Sequence, residues 1–550
     1  MTDATASAEP PAPRTTRAAV RMAILMLALV AAFGAVAAQL VRLGLEGQAQ
    51  ARIAVTAPIS ESYSRPVLVD RDGRVLAMDI LLPSVFADPS RILDLDEAVE
   101  KLSSVLPEGT ARRLRGLLSN PQRRFVWISR KVSTALAERI HNLGLPGVSF
   151  RWETKRTYPA GTVAGHVIGA VDIGNRGIAG LERHVDLMLG LRMARTDAAD
   201  GRRDVRLSLS LAAQHAAEDV LREAITTYGA EAASALVMDV NSGEIAAAAS
   251  LPGVDPAFPG EWVAKGPINH AGGGVFELGS IFKLVTVAAA LDRGDVKADT
   301  DVDARPDLKF GRFTIGDVTR LPKRIPLSDV IVRSSNVASA NLALMSGAKA
   351  QRAMLSRMGL IGSMRTEAGP VAQPRAPEFW NDLATATVSY GHGIAVAPIQ
   401  FAAAAAALVN GGFRVKPTFL AGGGIPEPVR ARVISQTTSD HLRAMMRANV
   451  RDPRGTGRLA AVAGYDVGGK TGTADQPNGT KGYDGKRVVT SFVGAFPMRA
   501  PKFLVMVVLH DPKPTDGKRL AGLNAAPTAA DLIARVAPIL GVLPEGNAER

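Results

Sequence analysis

The sequence lacks several residues and motifs that whole classes of chemistry require. It contains no cysteine among its 550 residues, so disulfide bonds and thiol catalysis are excluded, although this absence does not decide the compartment. Its eight histidines show no metal-ligand spacing and no His-Glu-x-x-His motif, so we expect no metal site and no cofactor. No Gly-x-Ser-x-Gly elbow is present, so an α/β-hydrolase triad is not supported. No internal repeat is visible.

The overall composition is that of a large globular protein. Hydrophobic residues make up 47% of the chain and charged residues 21%, and the length predicts about three or four domains. The net charge of +13 raises the question of nucleic-acid or anionic-membrane binding. Arginines are scattered through the chain, however, with only small clusters at 112–115 and 123–124, and no nucleic-acid-binding motif accompanies them. We therefore expect no nucleic-acid partner.

Long apolar runs are also scarce, because only one is long enough to span a bilayer. It covers residues 22–41, with no charge from Met22 to Ala38, and Arg14, Arg17 and Arg21 precede it. The positive-inside rule then predicts a cytoplasmic tail at residues 1–21, expected to be disordered, and an exported remainder. We expect a single-pass membrane protein whose remainder lies on the outer side of the membrane.

A cleaved signal peptide is the alternative, since Ala35-Val36-Ala37 resembles a cleavage site. The apolar run is longer than the 7–15 residues or so of a cleavable segment, which favours an uncleaved anchor. Either reading exports the rest of the chain to a compartment without an ATP supply. This location argues against a nucleotide-binding site.

The exported part divides near residue 205. Residues 42–205 mix short strand-like and helical stretches without a catalytic grouping. Residues 206–540 predict an α/β domain with strands at both ends and helices between them, followed by a tail at 541–550. The predicted strands are Val205–Leu211, Ser234–Val240, Ile245–Ser250, Ser491–Phe496 and Phe503–Leu509, and the predicted helices include Ala213–Ala224 and Asp531–Val536, with Pro538 interrupting or ending the latter.

The first chemical motif is Gly279-Ser280-Ile281-Phe282-Lys283, at the start of an apolar helix. Positions i and i+3 of a helix face the same side, so Lys283 is placed to take the proton of Ser280. This requires a neutral amine, and burial must therefore lower the pKa of Lys283. At a helix N-terminus, backbone N–H groups also stabilise an oxyanion.

Two further motifs follow in order. In Ser334-Ser335-Asn336, we expect Ser334 to relay a proton and Asn336 to bind a substrate amide or hold the lysine. In Lys470-Thr471-Gly472-Thr473, small residues let an extended substrate lie along a strand edge. Lys470 adds positive charge there, and the threonine hydroxyls are suited to binding a carboxylate.

None of these motifs is specific alone. Ser346-Gly347-Ala348-Lys349 repeats the first spacing, but its glycine indicates a helix end. Residues 464–471 match a P-loop literally, but the turn-forming Gly472 follows where a P-loop needs a helix. The ordered set of three, each in its expected context, is typical of penicillin-binding proteins and class A β-lactamases.

With these motifs, the chain resembles the class B penicillin-binding proteins, and most closely their division-type peptidoglycan D,D-transpeptidases. The resemblance covers nearly the whole exported part. It extends to residues 65–77, to 156–182, to Gly391-His392-Gly393 and to Pro398 and Gln400. Pro66 and Leu278 depart from the family pattern, which usually has glycine and proline there, but neither position carries chemistry.

The resemblance implies a serine penicillin-recognising transpeptidase fold, with helices on a mainly antiparallel sheet, above an N-terminal α+β pedestal. It implies that Ser280 is acylated by a stem peptide, that Lys283 is the base, and that Ser334, Asn336 and Lys470 assist. Thr471, Gly472 and Thr473 then bind the substrate, and the N–H groups of Ser280 and Thr473 form the oxyanion hole. The resemblance also implies a bacterial inner-membrane protein with its catalytic domain in the periplasm. The implied partners are peptidoglycan stem peptides and lipid-linked precursor, β-lactams as inhibitors, a membrane-embedded glycan polymerase of the FtsW type and other divisome proteins.

Three alternatives stay open at this point. An elongation-type transpeptidase would carry the same motifs. A D,D-carboxypeptidase or β-lactamase would resolve the acyl-enzyme with water. A non-catalytic scaffold or β-lactam sensor is less favoured, because all motif members are present and the cytoplasmic tail has no room for a signalling domain.

Overall fold

The computed structural model describes residues 20–39, 65–193, 204–260, 262, 268–306, 308–422, 431–477 and 482–545. Its first segment is the helix α1 (Val20–Gln39), which has a mean hydropathy of 2.3 and no burial against the rest of the protein. At about 1.5 Å per residue, a helix of this length matches the roughly 30 Å core of a bilayer. The predicted span began at Met22, and its last residues, Leu40 and Val41, lie outside the described part, as does most of the predicted tail.

The N-terminal domain is built on a sheet in the order β3-β2-β1-β5, with β4 also paired to β2. Its strands are β1 (Leu68–Val69), β2 (Val75–Ala87), β3 (Val126–Ser129), β4 (Val148–Thr157) and β5 (Val205–Arg206), and its helices are α2 (Leu95–Val105), α3 (Thr110–Leu118), α4 (Thr134–His141), α5 (Gly165–Ile168) and α6 (Gly180–Met193). One face of β2 and β3 packs on α2, α3 and α4 through Val85, Ile128, Leu102, Leu114 and Ile140.

A buried ion network joins the two sequence stretches 65–77 and 156–182. Arg65 Nε donates to Glu182 Oε2 at 2.9 Å, and Arg156 Nε donates to Glu182 Oε1 at 2.7 Å. Arg156 also pairs with Asp79 on β2, at 3.2 Å. All four side chains are at most 5% exposed. Buried charges are stable only when paired, so these two distant stretches form one structural unit that fixes the domain.

The second domain is built on a five-stranded sheet, in the order β14-β15-β16-β6-β7, with every neighbouring pair antiparallel. These strands are β6 (Ala232–Asp239), β7 (Ile245–Leu251), β14 (Gly468–Pro477), β15 (Tyr483–Phe496) and β16 (Phe503–His510). Short pairs are formed by β8 (Asp301–Asp303) with β11 (Arg324–Pro326), β9 (Leu308–Phe310) with β10 (Phe313–Ile315), and β12 (Arg365–Thr366) with β13 (Gly369–Pro370).

Helices cover both faces of this sheet. They are α7 (Leu211–Tyr228), α8 (Lys283–Arg293), α9 (Leu327–Val332), α10 (Asn336–Ser346), α11 (Ala348–Arg357), α12 (Asp382–Val388), α13 (Pro398–Val409), α14 (Gln436–Arg451) and α15 (Ala525–Ile539). Along β16, Val505 and Val507 pack in the core with α7 and α15, whereas Leu504 and Met506 pack in the core with α8 and α13. Every residue of β16 is buried, as its continuous apolar sequence predicted. The predicted fold class is confirmed.

Several predicted elements have different bounds, and the strand predicted at Ser491–Phe496 begins well before Ser491, at Tyr483. The strand predicted at Val205–Leu211 ends at Arg206, because Ser210 accepts a hydrogen bond from the backbone of Ala213 and caps α7, which begins at Leu211. The apolar-polar alternation continues past the strand only because Leu207 and Leu209 are buried in the core between the domains. The last helix begins at Ala525, earlier than predicted, and Pro538 lies in its final turn.

Candidate active site

The nucleophile candidate Ser280 lies in a short 3-10 helix, Gly279–Phe282, which continues directly into α8. The backbone N–H of Lys283 donates to the carbonyl of Ser280, so the two residues are one 3-10 turn apart. Side chains at i and i+3 eclipse in a 3-10 helix, which aligns these two more closely than an α-helix would. Ser280 is half-buried, whereas Lys283 is fully buried.

Ser334 lies in the tight turn between α9 and α10. Its φ of 60° is in the left-handed region, which costs energy for a residue other than glycine. The turn is held from both sides, because Ser335 caps α10 through the N–H of Ala338, and Asp317 accepts hydrogen bonds from Ser335 Oγ at 2.7 Å and from the N–H of Val337 at 3.1 Å. The strained backbone therefore fixes the direction of the Ser334 hydroxyl.

Both lysines reach that hydroxyl. Lys283 Nζ lies 3.1 Å from Ser334 Oγ, and it also contacts the carbonyl oxygen of Ser334 at 2.5 Å and Asn336 Oδ1 at 2.7 Å. Lys470 Nζ lies 3.0 Å from the same Oγ, 3.3 Å from Thr456 Oγ1 and 3.1 Å from the carbonyl oxygen of Thr471. The three motifs thus meet at one oxygen atom, which is placed to pass a proton between two amines.

The electrostatics of the lysine pair follow from its burial. Desolvation, together with the charge of Lys470, lowers the pKa of Lys283 well below its ordinary value of 10.5. Burial lowers the pKa of Lys470 to about 7. Two ammonium groups on one hydroxyl are unfavourable, so Lys283 is the amine that stays neutral, as its role as a base requires.

Strand β14 lies at the edge of the sheet, with Gly472 pressed against the segment before Ser280. A Cβ on Gly472 would lie 2.1 Å from the carbonyl oxygen of Leu278, and one on Gly279 would lie 2.4 Å from that of Thr473. Gly391 packs as closely, because its Cβ would lie 2.2 Å from the carbonyl oxygen of Gly279. Backbone-to-backbone contact at this distance is open only to glycine, and it sets the backbone of Ser280 beside that of Thr473.

The two threonines of the third motif have protein partners. Thr471 Oγ1 lies 2.8 Å from Thr456 Oγ1, and Thr473 Oγ1 accepts the N–H of Ala521 at 3.0 Å. Thr456 is positioned by Asn449, whose side-chain oxygen accepts the N–H of Thr456 at 3.0 Å and whose amide donates to the carbonyl of Gly469 at 2.8 Å. The third motif is therefore tied to α14 as well as to the sheet.

Sequence reasoning missed several of these residues. The two glycines that flank Thr456, Gly455 and Gly457, were a usable signal in the sequence. In the structure, a Cβ on Gly455 would lie 2.1 Å from the carbonyl oxygen of Asn449, and one on Gly457 would lie 2.7 Å from Asn449 Nδ2. Asp317 carried no such signal, because it lies in an irregular segment far in sequence from the turn that it holds.

A second missed group surrounds Glu277. Its Oε1 accepts hydrogen bonds from Tyr483 OH at 2.5 Å and from the N–H of Gly393 at 3.1 Å. His392 Nδ1 lies 3.5 Å from Oε2, and the His392 ring lies 4.4 Å from that of Tyr483. Burial raises the pKa of Glu277, and the hydrogen bond from Tyr483 opposes this shift. His392 thus lies beside both Glu277 and Tyr483, in the segment between α12 and α13.

The structure brings Lys283, Ser334, Asn336 and Lys470 into one hydrogen-bonded group, with Thr471 joined to it through Thr456. The two sequence matches that were set aside, Ser346-Gly347-Ala348-Lys349 and residues 464–471, do not have the structures that their motifs require. Ser346 ends α10 and its hydroxyl donates to Asp295 at 2.6 Å, with Gly347 in a positive-φ conformation after it. The residues after Lys470 continue as strand β14, so the helix that a P-loop requires is not there.

Two family models match the chain, each in one of the two domains. Residues 233–534 match the penicillin-binding protein transpeptidase domain, and residues 61–186 match the penicillin-binding protein dimerisation domain. The first match covers the whole five-stranded sheet except the first residue of β6, and it contains all three motifs.

Curated relatives match over most of both chains. A protein of Caulobacter vibrioides named "Probable peptidoglycan D,D-transpeptidase FtsI" is 35% identical, over 87% of this chain and 82% of the relative. "Peptidoglycan D,D-transpeptidase FtsI" of Escherichia coli K12 is 30% identical, over 88% of this chain and 85% of the relative.

Solved structures agree with the fold. A transpeptidase (TP) domain of penicillin-binding protein 3 from Burkholderia pseudomallei is 30% identical with a TM-score of 0.56, covering 63% of this chain and all of that one. A peptidoglycan synthetase from Bifidobacterium adolescentis is 21% identical with a TM-score of 0.66, covering 88% of this chain and 97% of that one, and it supports the fold alone. The chain belongs to the class B penicillin-binding proteins of the FtsI type.

The lysine pair predicts a bell-shaped pH dependence of acylation. The second-order rate constant for benzylpenicillin should fall towards acid pH, as Lys283 becomes protonated below its lowered pKa. It should also fall above pH 7 or so, by up to about tenfold per unit, as Lys470 loses the charge that attracts the carboxylate. The measurement is acylation of the full chain in detergent between pH 5 and 10.

The methyl ester of the same penicillin provides the control. It carries no carboxylate, so its profile should keep the acid limb and lose the alkaline limb. A free-acid rate that stays flat from pH 7 to 10 would contradict the role given to Lys470, and a missing acid limb would contradict that of Lys283.

The close approach at Gly472 predicts the effect of adding one methyl group. Gly472→Ala should push β14 away from the carbonyl of Leu278 and lower the acylation rate by about 100-fold, since small misplacements at a reacting centre are that costly. Gly253→Ala is the matched control, because its added Cβ would meet nothing closer than Leu251 Cδ2 at 3.8 Å. Equal rates for the two variants, with unchanged circular dichroism, would refute the argument.

Proposed function

We propose that this chain is a peptidoglycan D,D-transpeptidase that cross-links stem peptides through a Ser280 acyl-enzyme during septal cell-wall synthesis. The observation that carries the proposal is that two fully buried lysines, Lys283 and Lys470, meet on Ser334 Oγ. Lys283 itself lies one helical turn after Ser280. Such a pair supplies a neutral base and a cation within a single hydrogen-bonded group.

In the first half-reaction, Ser280 Oγ attacks the carbonyl carbon of the penultimate D-alanine, and its proton passes to Lys283. The carbonyl oxygen becomes an oxyanion, which the backbone N–H groups of Ser280 and Thr473 stabilise. The C–N bond then breaks. Lys283 passes the proton through Ser334 to the nitrogen of the leaving D-alanine, and an ester to Ser280 remains.

Lys470, Thr471 and Thr473 hold the carboxylate of the donor peptide, with Gly472 leaving room for its backbone. Asn336, which contacts the amine of Lys283 at 2.7 Å, keeps that amine directed at the reacting centre. These residues position the donor and do not change covalently.

In the second half-reaction, the side-chain amine of a neighbouring stem peptide attacks the ester carbonyl. The amine loses a proton to Lys283 as the new amide bond forms, and Lys283 returns that proton to Ser280 as the C–O bond breaks. The proton balance is closed without a cofactor.

The wider organisation supports cross-linking rather than hydrolysis. An apolar helix at the N-terminus and a separate domain before the sheet fit an enzyme held at the membrane, with residues 42–205 as a non-catalytic pedestal and 206–540 as the transpeptidase domain. We propose a cytoplasmic N-terminus and a periplasmic catalytic domain. The FtsI-type relatives favour a septal role, with a glycan polymerase of the FtsW type and other divisome proteins as partners.

Labelling by a fluorescent penicillin tests this proposal. The full chain and Ser346→Ala should be labelled, whereas Ser280→Ala should not, because of these two serines only Ser280 lies one turn before the buried Lys283. Ser346 is the matched control, since it has the same Ser-x-x-Lys spacing but lies at the end of α10. Labelling that survives the loss of Ser280 would overturn the nucleophile, and a folded wild type without label would overturn acyl transfer.

A further inference from the structure

Glu277 is an almost buried carboxylate that the mechanism above does not use. It lies three residues before Ser280, and its side chain is only 9% exposed. Through Tyr483 OH and the N–H of Gly393, its Oε1 joins the start of β15 and the loop after α12 to the nucleophile segment. A buried charge next to a reactive group needs a compensating partner.

The second oxygen of Glu277 has no hydrogen-bond donor among the described residues. Oε2 is buried and accepts no hydrogen bond from the residues that the structure describes. The nearest basic atom is His392 Nδ1 at 3.5 Å, on a ring that is 39% exposed. The rings of His392 and Tyr483 lie beside the carboxylate, and the ring of Tyr390 lies 6.3 Å from that of His392. A carboxylate bordered by aromatic rings is the surrounding that an organic cation prefers.

Strand β14 carries a second carboxylate towards Glu277 and Tyr483. Side chains alternate along a strand, so Asp475 shares a face with Thr471 and Thr473 and lies about 7 Å beyond Thr473. Asp475 is exposed, and its charge acts on both Glu277 and Tyr483. The edge of β14 is therefore polarised, with Lys470 and the threonines at one end and Asp475 at the other, and Glu277 lies beyond the strand next to Tyr483.

We propose that Glu277 and Asp475 form a cation subsite that binds the side-chain ammonium group of the donor peptide, on the residue that precedes its D-Ala-D-Ala unit. This inference rests on the proposed transpeptidase function. A donor laid along β14, with its carboxylate at Lys470 and its penultimate carbonyl at Ser280, extends its preceding residue towards Asp475. Because the acceptor is another copy of the same peptide and attacks with a side-chain amine, every donor carries that amine too.

Donor thioesters provide the test, on the full chain in detergent. Three N-acyl peptides ending in D-alanyl-D-thiolactate differ only in the residue before the D-alanine, which is lysine, Nε-acetyllysine or norleucine. In each, Ser280 forms an ester as the C–S bond breaks and the thiol leaves with a proton, so the released thiol reports acylation. We expect wild type to prefer the lysine donor about fivefold over the two uncharged donors.

Variants of the two carboxylates test whether they cause this preference. Asp475→Asn and Glu277→Gln should bring the lysine-to-norleucine ratio close to one, and Asp475→Glu should restore part of it. Glu223→Gln is the matched control with an unchanged ratio, because Glu223 is an exposed acid on α7 that pairs with Arg535 on α15. The ratio is internal to each variant, so a general loss of activity does not imitate the effect.

Two other results would overturn the inference. A wild type that benzylpenicillin acylates but that shows no preference among the thioesters would refute the cation subsite and leave the transpeptidase proposal standing. A preference that depends on Asp475 only in the transfer of the acyl group to an added amine would assign the subsite to the acceptor peptide instead. Failure of benzylpenicillin to acylate a folded wild type would refute the proposed function itself.

Discussion

The catalytic site depends on one constraint, which is that two lysines removed from water share a single hydroxyl group. In water, a lysine ammonium group keeps its proton near neutral pH, because its ordinary pKa is 10.5. Burial lowers the pKa of Lys283 and so favours the neutral amine. The second lysine, Lys470, strengthens the effect by its charge and remains the better holder of the proton. Ser334 connects the two, and its strained backbone is the cost of aiming one oxygen at both amines.

The remainder of the second domain holds this arrangement in place. The helices on both faces of the antiparallel sheet form the well-packed core that keeps water away from the two lysines, and hydrogen bonds satisfy the amines inside it. Glycines at 279, 391 and 472 let three backbone segments approach more closely than any other residue allows. Asp317 and Asn449 act from a distance, since each fixes a turn that carries a hydroxyl to the lysines.

The sequence predicted the residues of the site better than the residues that hold them in place. Ser280, Lys283, Ser334, Asn336 and Lys470 belong to short motifs whose local contexts are readable, namely a helix start, a turn before a helix and an edge strand. Their meeting point was inferred from resemblance, because no local pattern states which distant segments come together. The buried network of Arg65, Arg156 and Glu182 is a second example. The stretches 65–77 and 156–182 were recognised separately in the sequence, and only the structure shows that their charged side chains pair with one another.

Glu277 and Asp317 were missed because lone acidic residues usually lie at solvated surfaces. The strand expected at 205–211 was too long because burial between domains imitates strand alternation.

The central claim is that Lys283 is neutral at the pH at which the enzyme works. It is tested most directly by NMR of the full chain labelled with carbon-13 at the lysine Cε positions, with the Lys283 signal identified by its loss in Lys283→Met. The account predicts that this signal titrates well below the ordinary lysine pKa of 10.5 and reports a neutral amine at pH 7. A Lys283 signal that titrates near its ordinary value would contradict the account.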